Sequence, residues 1–332
     1  MSFFFLVFAW LLSSGAHAST SDELATFEGD CGQCHNDFKH PIKIQSSGKC
    51  STCHEAPSLH EGVKQGAKKA APTEAQLQAG MQYKMYYPQS ESRLGSKPNP
   101  LKRVPAGEFI MGTDGRLPDE GPQHTRHLSE YYIDQYEVTN LQYKAFIDET
   151  GRRSPKHFRN RTFPEGKSDH PVTYVSWKDG NAYCKWAGKR LPTDAEWEKA
   201  ARSTDGRFFP WGNEFDIDKA NTPQRWARLG VPGDTSPVGA FKAGQSVYGV
   251  FDMSGNVWEW TDSWYQPYPG NTHMTENYGT QYKTLKGGSW WDCSFYQCGI
   301  SAPVYNRSFF LRSTKNSSFG FRCAADAAIL VQ

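Results

Sequence analysis

Hydrophobic and polar positions change pattern three times along the chain. Residues 3–12 form an unbroken apolar run, too short to cross a bilayer, followed by Ser13-Ser14-Gly15 and the small-residue site Ala16-His17-Ala18. That order is the one of a cleavable secretory signal (residues 1–18), cut before Ser19, although no Lys or Arg accompanies Met1. No later stretch reaches the roughly 18 apolar residues of a membrane span. The mature chain is therefore expected to be periplasmic, with no membrane span. Residues 61–103 are rich in Ala, Lys, Gln, Gly, Ser and Pro and end in Gly95-Ser96-Lys97-Pro98-Asn99-Pro100, the composition of a linker, with one short helix expected over 73–80. From Val104 onward, Gly, Trp and turn residues interrupt every long period, which predicts many short strands joined by long ordered loops. Three helices stand out in that region: 140–147 after a Thr139 cap, 176–187 with Trp177, Tyr183, Cys184 and Trp186 near one face, and 193–201 opened by a Thr193–Glu196 capping box.

Charge divides the mature chain in the same places. Across 332 residues, 37 Lys and Arg face 35 Asp and Glu, a balance with no field for gripping a phosphate backbone. A charged fraction of 22% beside 14% aromatics is equally far from a disordered composition. Residues 19–60 carry 3 basic and 6 acidic side chains, whereas residues 61–103 carry 8 and 3. The sequence thus predicts a small acidic unit (19–60), a basic linker (61–103) and a large domain (104–326).

The small unit holds Cys31-Gly32-Gln33-Cys34-His35 and Cys50-Ser51-Thr52-Cys53-His54. Each is a Cys-x-x-Cys-His, in which two thiols bond covalently to haem and the adjacent imidazole ligates iron. The 15 residues between Cys34 and Cys50 also suit a four-thiolate zinc site, and two disulfides are a further alternative. Zinc gives no reason for a His after both pairs, and export favours the compartment in which c-type haems are attached. The expectation is two c-type haems on Cys31, Cys34, Cys50 and Cys53, with His35 and His54 as proximal ligands. His40 and His60 are the expected second axial ligands, with Met81 or Met85 as the alternative. So short a segment cannot bury a core of its own, so the haems would organise it. In its compact His-bearing spacing it resembles small multihaem cytochromes c.

In the large domain a series of motifs carries a resemblance. Val104-Pro105-Ala106-Gly107-Glu108-Phe109-Ile110-Met111-Gly112, Tyr136-Glu137-Val138-Thr139-Asn140, Ala187-Gly188-Lys189-Arg190-Leu191-Pro192-Thr193, Phe209-Pro210-Trp211-Gly212-Asn213, Met253-Ser254-Gly255-Asn256-Val257-Trp258-Glu259-Trp260-Thr261, Gly287-Gly288-Ser289-Trp290 and Gly320-Phe321-Arg322-Cys323-Ala324 follow one another in this order. Their succession resembles that of formylglycine-generating enzymes (sulfatase-modifying factors). The resemblance implies an α+β, irregular C-type-lectin-like fold and a disulfide between Cys184 and Cys323. It also implies calcium held by carbonyls of Ser254, Gly255 and Val257 with the Glu259 carboxylate, hard oxygen ligands suited to that ion. Asn221, with Asp234 beside it, would serve a second calcium.

Cys293-Ser294-Phe295-Tyr296-Gln297-Cys298 keeps the Cys-x4-Cys spacing of that family's catalytic pair. Two thiolates on one short loop are soft ligands that select Cu(I), and by the family's mechanism such a site oxidises a cysteine to a Cα-aldehyde. Ser289 would hydrogen-bond near bound oxygen and Trp260 would wall the pocket. Two departures stand against a full match: an extra residue in Trp290-Trp291-Asp292 and the absence of an arginine-rich segment after Cys298. A small-loop disulfide between Cys293 and Cys298 stays open beside the copper site. The leading expectation is an oxidoreductase coupling haem electron transfer to copper and O2 chemistry on a thiol. The alternative is a non-catalytic electron-transfer or maturation partner of a periplasmic respiratory enzyme such as copper nitrite reductase. A haem-bearing carbohydrate- or peptide-binding sensor is a third. His124, His127, His157, His170 and His273 lack ligand spacing to one another and read as surface or core histidines.

Overall fold

The computed structural model describes residues 92–291 and 302–327. The motifs at 31–35 and 50–54, His40, His60, the helix expected over 73–80 and the Cys293–Cys298 pair lie outside the described residues.

The first strands are β1 (Leu101–Val104), β2 (Gly107–Met111), β3 (His124–Leu128) and β4 (Tyr131–Asp134). β2 and β3 form an antiparallel hairpin, while β1, β4 and the last strand, β9 (Ala324–Asp326), form a three-stranded sheet in the order β1-β4-β9. The linker reading of 92–103 is corrected here, because this stretch belongs to the domain. Its composition reads as a linker, but side chains elsewhere bond its backbone. Gln142 Nε2 donates to the Lys97 carbonyl and Lys189 Nζ to the Asn99 carbonyl, while Asn99 Nδ2 donates to the carbonyls of Tyr136 and Glu137. Leu101 then enters register opposite Asp134.

Three helices form where capping chemistry places them: α1 (Asn140–Thr150), α2 (Trp177–Trp186) and α3 (Asp194–Arg202). Each opens with a reciprocal capping box, Thr139 with Gln142, Ser176 with Asp179 and Thr193 with Glu196, which satisfies amides that the helix itself leaves unpaired. α1 stops at Gly151 in the left-handed region. On α2, Tyr183 and Cys184 are buried with Gly180, whereas Trp177 and Trp186 are half-buried. A fourth helix, α4 (Pro223–Leu229), was not expected, although Pro223 in its first turn and Gly230 beyond its end are ordinary start and stop signals.

The C-terminal half adds β5 (Trp258–Trp264), β6 (Tyr282–Lys286), β7 (Ser308–Leu311) and β8 (Phe319–Gly320), a four-stranded sheet in the order β7-β6-β5-β8. β8 runs parallel to β5, and the other neighbours are antiparallel. The main apolar core lies between this sheet and α1–α2, with Tyr143, Phe146, Tyr183, Trp258, Trp260, Phe319 and Phe321 packed together. A disulfide joins Cys184 to Cys323 across 139 residues, stitching α2 to the foot of β9. Among the described residues no helix is long and apolar enough to cross a membrane.

Candidate active site

The site is built from one turn. Asp252, Gly255 and Asn256 all have positive φ, at 58°, 86° and 63°. A Cβ on Gly255 would stand 2.3 Å from the Asn221 carbonyl oxygen, so only glycine fits there. Asn256 ties the turn to its surroundings. Its Oδ1 accepts from the Ser236 amide at 2.9 Å and from Asn221 Nδ2 at 3.0 Å, while its Nδ2 donates to Glu137 at 2.5 Å.

The same turn holds both ends of the segment that carries the cysteine pair. On the entry side the Gly255 amide donates to the Gly287 carbonyl at 2.7 Å, and the Trp290 amide donates to the Asn256 carbonyl at 2.9 Å. On the exit side Ser254 Oγ donates to the Ala302 carbonyl at 2.7 Å. Residues 290 and 302, which flank the segment of Cys293 and Cys298, are thereby bonded to Asn256 and Ser254 of one turn. Ser289 is buried and its hydroxyl accepts from the Trp291 amide at 3.2 Å. The Trp290 ring lies against Gly233, where a Cβ would come within 2.9 Å of both Trp290 and Trp226. Its buried indole N–H has no hydrogen-bond partner among the described residues. On the outer side of α4, an open groove of about 720 Å³ is lined by Trp211, Phe215, Ile217, Gln224 and Arg228.

Trp260, expected to wall a copper pocket, is fully buried in the main core. Its indole donates to the Val175 carbonyl at 3.0 Å and its ring meets Phe319 edge-on, so the structure gives it a packing role. The oxygens expected to bind calcium are placed around the turn, but several have protein partners. Both Glu259 oxygens are held by Arg322, at 2.6 and 2.7 Å, and the Trp197 indole donates to one of them at 3.0 Å. Asn221 Oδ1 accepts from the Trp226 indole and its carbonyl accepts from the Asn256 amide, while the Asp234 carboxylate pairs with Lys167 at 2.7 Å.

Sequence reasoning missed Glu137, Asp252 and Asn256, which surround this centre. The signal for Glu137 and Asn256 lay in the quoted motifs, in which Asn256 sits between assigned ligands, whereas Asp252 directly precedes one of them. Burial, joined by the neighbouring charges of Asp252 and Glu259, pushes the Glu137 carboxyl well above its ordinary value. Burial likewise raises Asp252 to about 6, against the Gly239 amide that holds its carboxylate. Among the described residues, three buried carboxyl groups thus gather at the Arg322 guanidinium, and burial favours the protonated form of Glu137 and Asp252. Among the described residues, no three His, Cys, Asp or Glu side chains converge to hold a metal. A cation at this turn would therefore depend on carbonyl oxygens.

This geometry has relatives. The family model of the sulfatase-modifying factor enzyme 1-like domain matches residues 88–327. The chain belongs to that family. It is 31% identical over 295 residues to the formylglycine-generating enzyme of Bos taurus, covering 70% of this chain and 77% of that one. It is 32% identical over 289 residues to the inactive C-alpha-formylglycine-generating enzyme 2 of Mus musculus, covering 71% and 89%. The hercynine oxygenase of Mycolicibacterium smegmatis matches at 35% over 235 residues, 56% of this chain and 53% of that protein. Among solved structures, PvdO from Pseudomonas aeruginosa superimposes with a TM-score of 0.55 at 28% identity, covering 68% of this chain and 94% of its own. Family members thus include proteins named for oxidative chemistry and one named inactive, at nearly the same identity to this chain.

Proposed function

We propose that the protein is an exported dihaem c-type cytochrome whose sulfatase-modifying-factor-like domain oxidises a substrate thiol at Cys293 and Cys298. The observation that carries this reading is that one turn, Ser254–Asn256, holds both flanks of the Cys-x4-Cys segment. A bound Cu(I) would supply a soft centre for a substrate thiolate and O2. Ser289, buried at the entry to the segment, would offer a hydroxyl beside it, and the groove along α4 would receive an extended peptide. Calcium on the carbonyls of Ser254, Gly255 and Val257, near Glu259 and Asn221, would add positive charge to the acidic pocket.

The haems answer an electron count. Converting a cysteine thiol to an aldehyde with loss of hydrogen sulfide releases two electrons, whereas reducing O2 to water consumes four. The remaining two electrons, taken up with two protons, would come one from each haem. Bis-histidine ligation by His35, His54, His40 and His60 would set a lower potential than a thioether ligand. The test is made anaerobically on reduced, copper-loaded full-length protein. Adding O2 with a cysteine-containing peptide should oxidise the haems and give an aldehyde product, and haems that stay reduced would refute the reading.

The second reading is a non-catalytic electron-transfer or maturation partner of a periplasmic respiratory enzyme such as copper nitrite reductase. The equal likeness to an inactive relative favours it. Reduced protein that takes up no Cu(I) against a chromogenic chelator, yet exchanges electrons through its haems, would decide for this alternative.

A further inference from the structure

The near-neutral total charge conceals a strongly basic platform. Residues 152–161 contain Arg152, Arg153, Lys156, Arg159 and Arg161, all exposed, and no carboxylate. Arg152 and Arg161 reach Asp179 and Asp148 only at 3.7 Å, and Arg153, Lys156 and Arg159 have no carboxylate partner among the described residues. The loop is nonetheless stiff. Phe158 and Phe163 are buried against each other, and Arg159 and Thr162 exchange backbone hydrogen bonds of 2.8 Å around a turn at Asn160 and Arg161. His157 Nε2 meets Asn140 Oδ1 at 3.3 Å, and Lys156 lies 4.3 Å from the centre of the Tyr174 ring.

The chain enters the domain beside this platform. The buried Asp169 carboxylate accepts from the Ser92 hydroxyl and from the Arg93 amide, the latter at 2.8 Å, and Arg93 also donates to the Val238 carbonyl at 3.0 Å. Asn140 connects this anchor to the platform. Its backbone amide donates to the His170 carbonyl and its side chain donates to the Lys167 carbonyl, while its Oδ1 faces His157. Upstream, residues 19–60 carry 6 acidic and 3 basic side chains.

We propose that the acidic N-terminal segment, residues 19–60, docks on the basic platform formed by Arg152, Arg153, Lys156, Arg159 and Arg161. The inference rests on reading that segment as the haem-bearing unit. Three arguments choose this occupant over a separate partner: the signs are complementary, the chain is clamped at the platform's edge, and the connector is long enough. A connector of 31 residues, Glu61 to Glu91, read from its composition as a linker, would reach about 30 Å and hold the segment near the platform at roughly millimolar effective concentration. A few exposed ion pairs suffice at that concentration, although they would not hold two free molecules together. A chain of described contacts leads from the anchor at Lys167 toward Trp290. Lys167 pairs with Asp234 at 2.7 Å, and the adjacent Gly233 lies under Trp290, three residues before Cys293.

The test uses full-length protein whose haem content is fixed first by mass and pyridine haemochrome absorbance. Zero-length carbodiimide coupling of amines to carboxylates is then mapped by peptide mass spectrometry. At about 0.01 M ionic strength, where charges act over roughly 30 Å, Lys156 should couple to carboxylates between Asp22 and Glu55 of the same molecule. The yield should fall about tenfold in about 1 M salt and in an Arg153→Glu/Arg159→Glu variant whose melting temperature is unchanged. Coupling only between two molecules, coupling indifferent to that variant, or capture of the protein by anionic vesicles in place of intramolecular coupling would each overturn the proposal. Haem-loaded protein that does not couple sinks the docking alone, whereas haem-free protein that still couples sinks the haem reading alone.

Discussion

Arg322 is the fully buried cation paired with Glu259 in the acidic centre, and replacing it tests the account of that centre directly. Its guanidinium holds both oxygens of Glu259 and donates to the Phe251 carbonyl at 2.8 Å, with no exposure on either side of the ion pair. Arg322→Met keeps much of the packing volume but leaves Glu259 beside Glu137 and Asp252 without a counter-charge. Breaking a buried pair from one side costs about 3–5 kcal/mol, which in a domain of this size lowers the melting temperature by roughly 6–20 °C. Removing both partners in Arg322→Met/Glu259→Met should be milder than the sum of the two single changes, because no isolated charge is then left behind. The assay is urea unfolding followed by tryptophan fluorescence, and the midpoint should shift with an unchanged slope. A loss below about 1 kcal/mol, or strict additivity of the pair, would refute the claim that this ion pair neutralises the pocket.

Three further outcomes follow from the same turn. Asp252→Asn, tolerated at positive φ, should remove a pH dependence. Burial raises the folded carboxyl to about 6 from an ordinary 3.8, so the folded state keeps a proton that the unfolded chain has lost. Stability present below the lower value is lost as pH rises through the upper one, and the wild type should weaken relative to the Asn variant between about pH 4 and about pH 7 in urea midpoints. Ser254→Ala should leave the Ala302 carbonyl without its donor, costing about 1–3 kcal/mol, and should weaken Cu(I) affinity measured by chelator competition. Added calcium at about 100 times its dissociation constant should stabilise the protein by roughly 2.7 kcal/mol, and a melting temperature that ignores both calcium and chelator would remove that ion from the account.

What was legible in the sequence was what is decided within a few residues. Thr193 and Glu196 stand three apart and cap α3 as expected, and the other two expected helices start at Thr139 and Ser176. The fold class and the Cys184–Cys323 pairing were legible only through the family resemblance, because no local rule joins residues 139 apart. The same limit hid β1 and the Pro98–Pro100 stretch before it, which read as linker although distant side chains bond Lys97 and Asn99. It also hid the interior of α3. There Glu198, Lys199 and Arg202 are buried although a surface helix would turn them outward. Burial disfavours the Glu198 charge, but Lys286 and Arg202 outweigh it and hold the carboxyl below its ordinary value. Lys199 is satisfied by the carbonyls of Pro105 and Gly107. Such partners come from β2, β6 and the loops between strands, so the pattern of one helix cannot reveal them. Trp260 shows a related limit, since its motif does not reveal its packing against Phe319 and its bond to the Val175 carbonyl.

Scaffold and chemistry are separable in this fold, and the separation makes the cysteine pair testable without a substrate. The stabilising features lie in described residues outside the segment: the two main core clusters, the Cys184–Cys323 link and the buried charges around Arg322. The described flanks of the segment, Trp290 and Ala302, are both bonded to the Ser254–Asn256 turn. The segment's residues can therefore change while the scaffold persists, as the near-equal likeness to active and inactive relatives suggests. Under oxidising, metal-free conditions, Cys293→Ser/Cys298→Ser then discriminates two states of the pair. If the wild-type thiols are free ligands, the double variant should match it within about 0.5 kcal/mol, as ordinary loop substitutions do. If they are joined, opening so small a ring should lower stability by about 2 kcal/mol, and a reductant that opens that bond should reproduce the loss in the wild type alone. A loss of that size, in protein that also fails to bind Cu(I) after reduction, would make the pair a staple of the fold and end the case for thiol oxidation at this site.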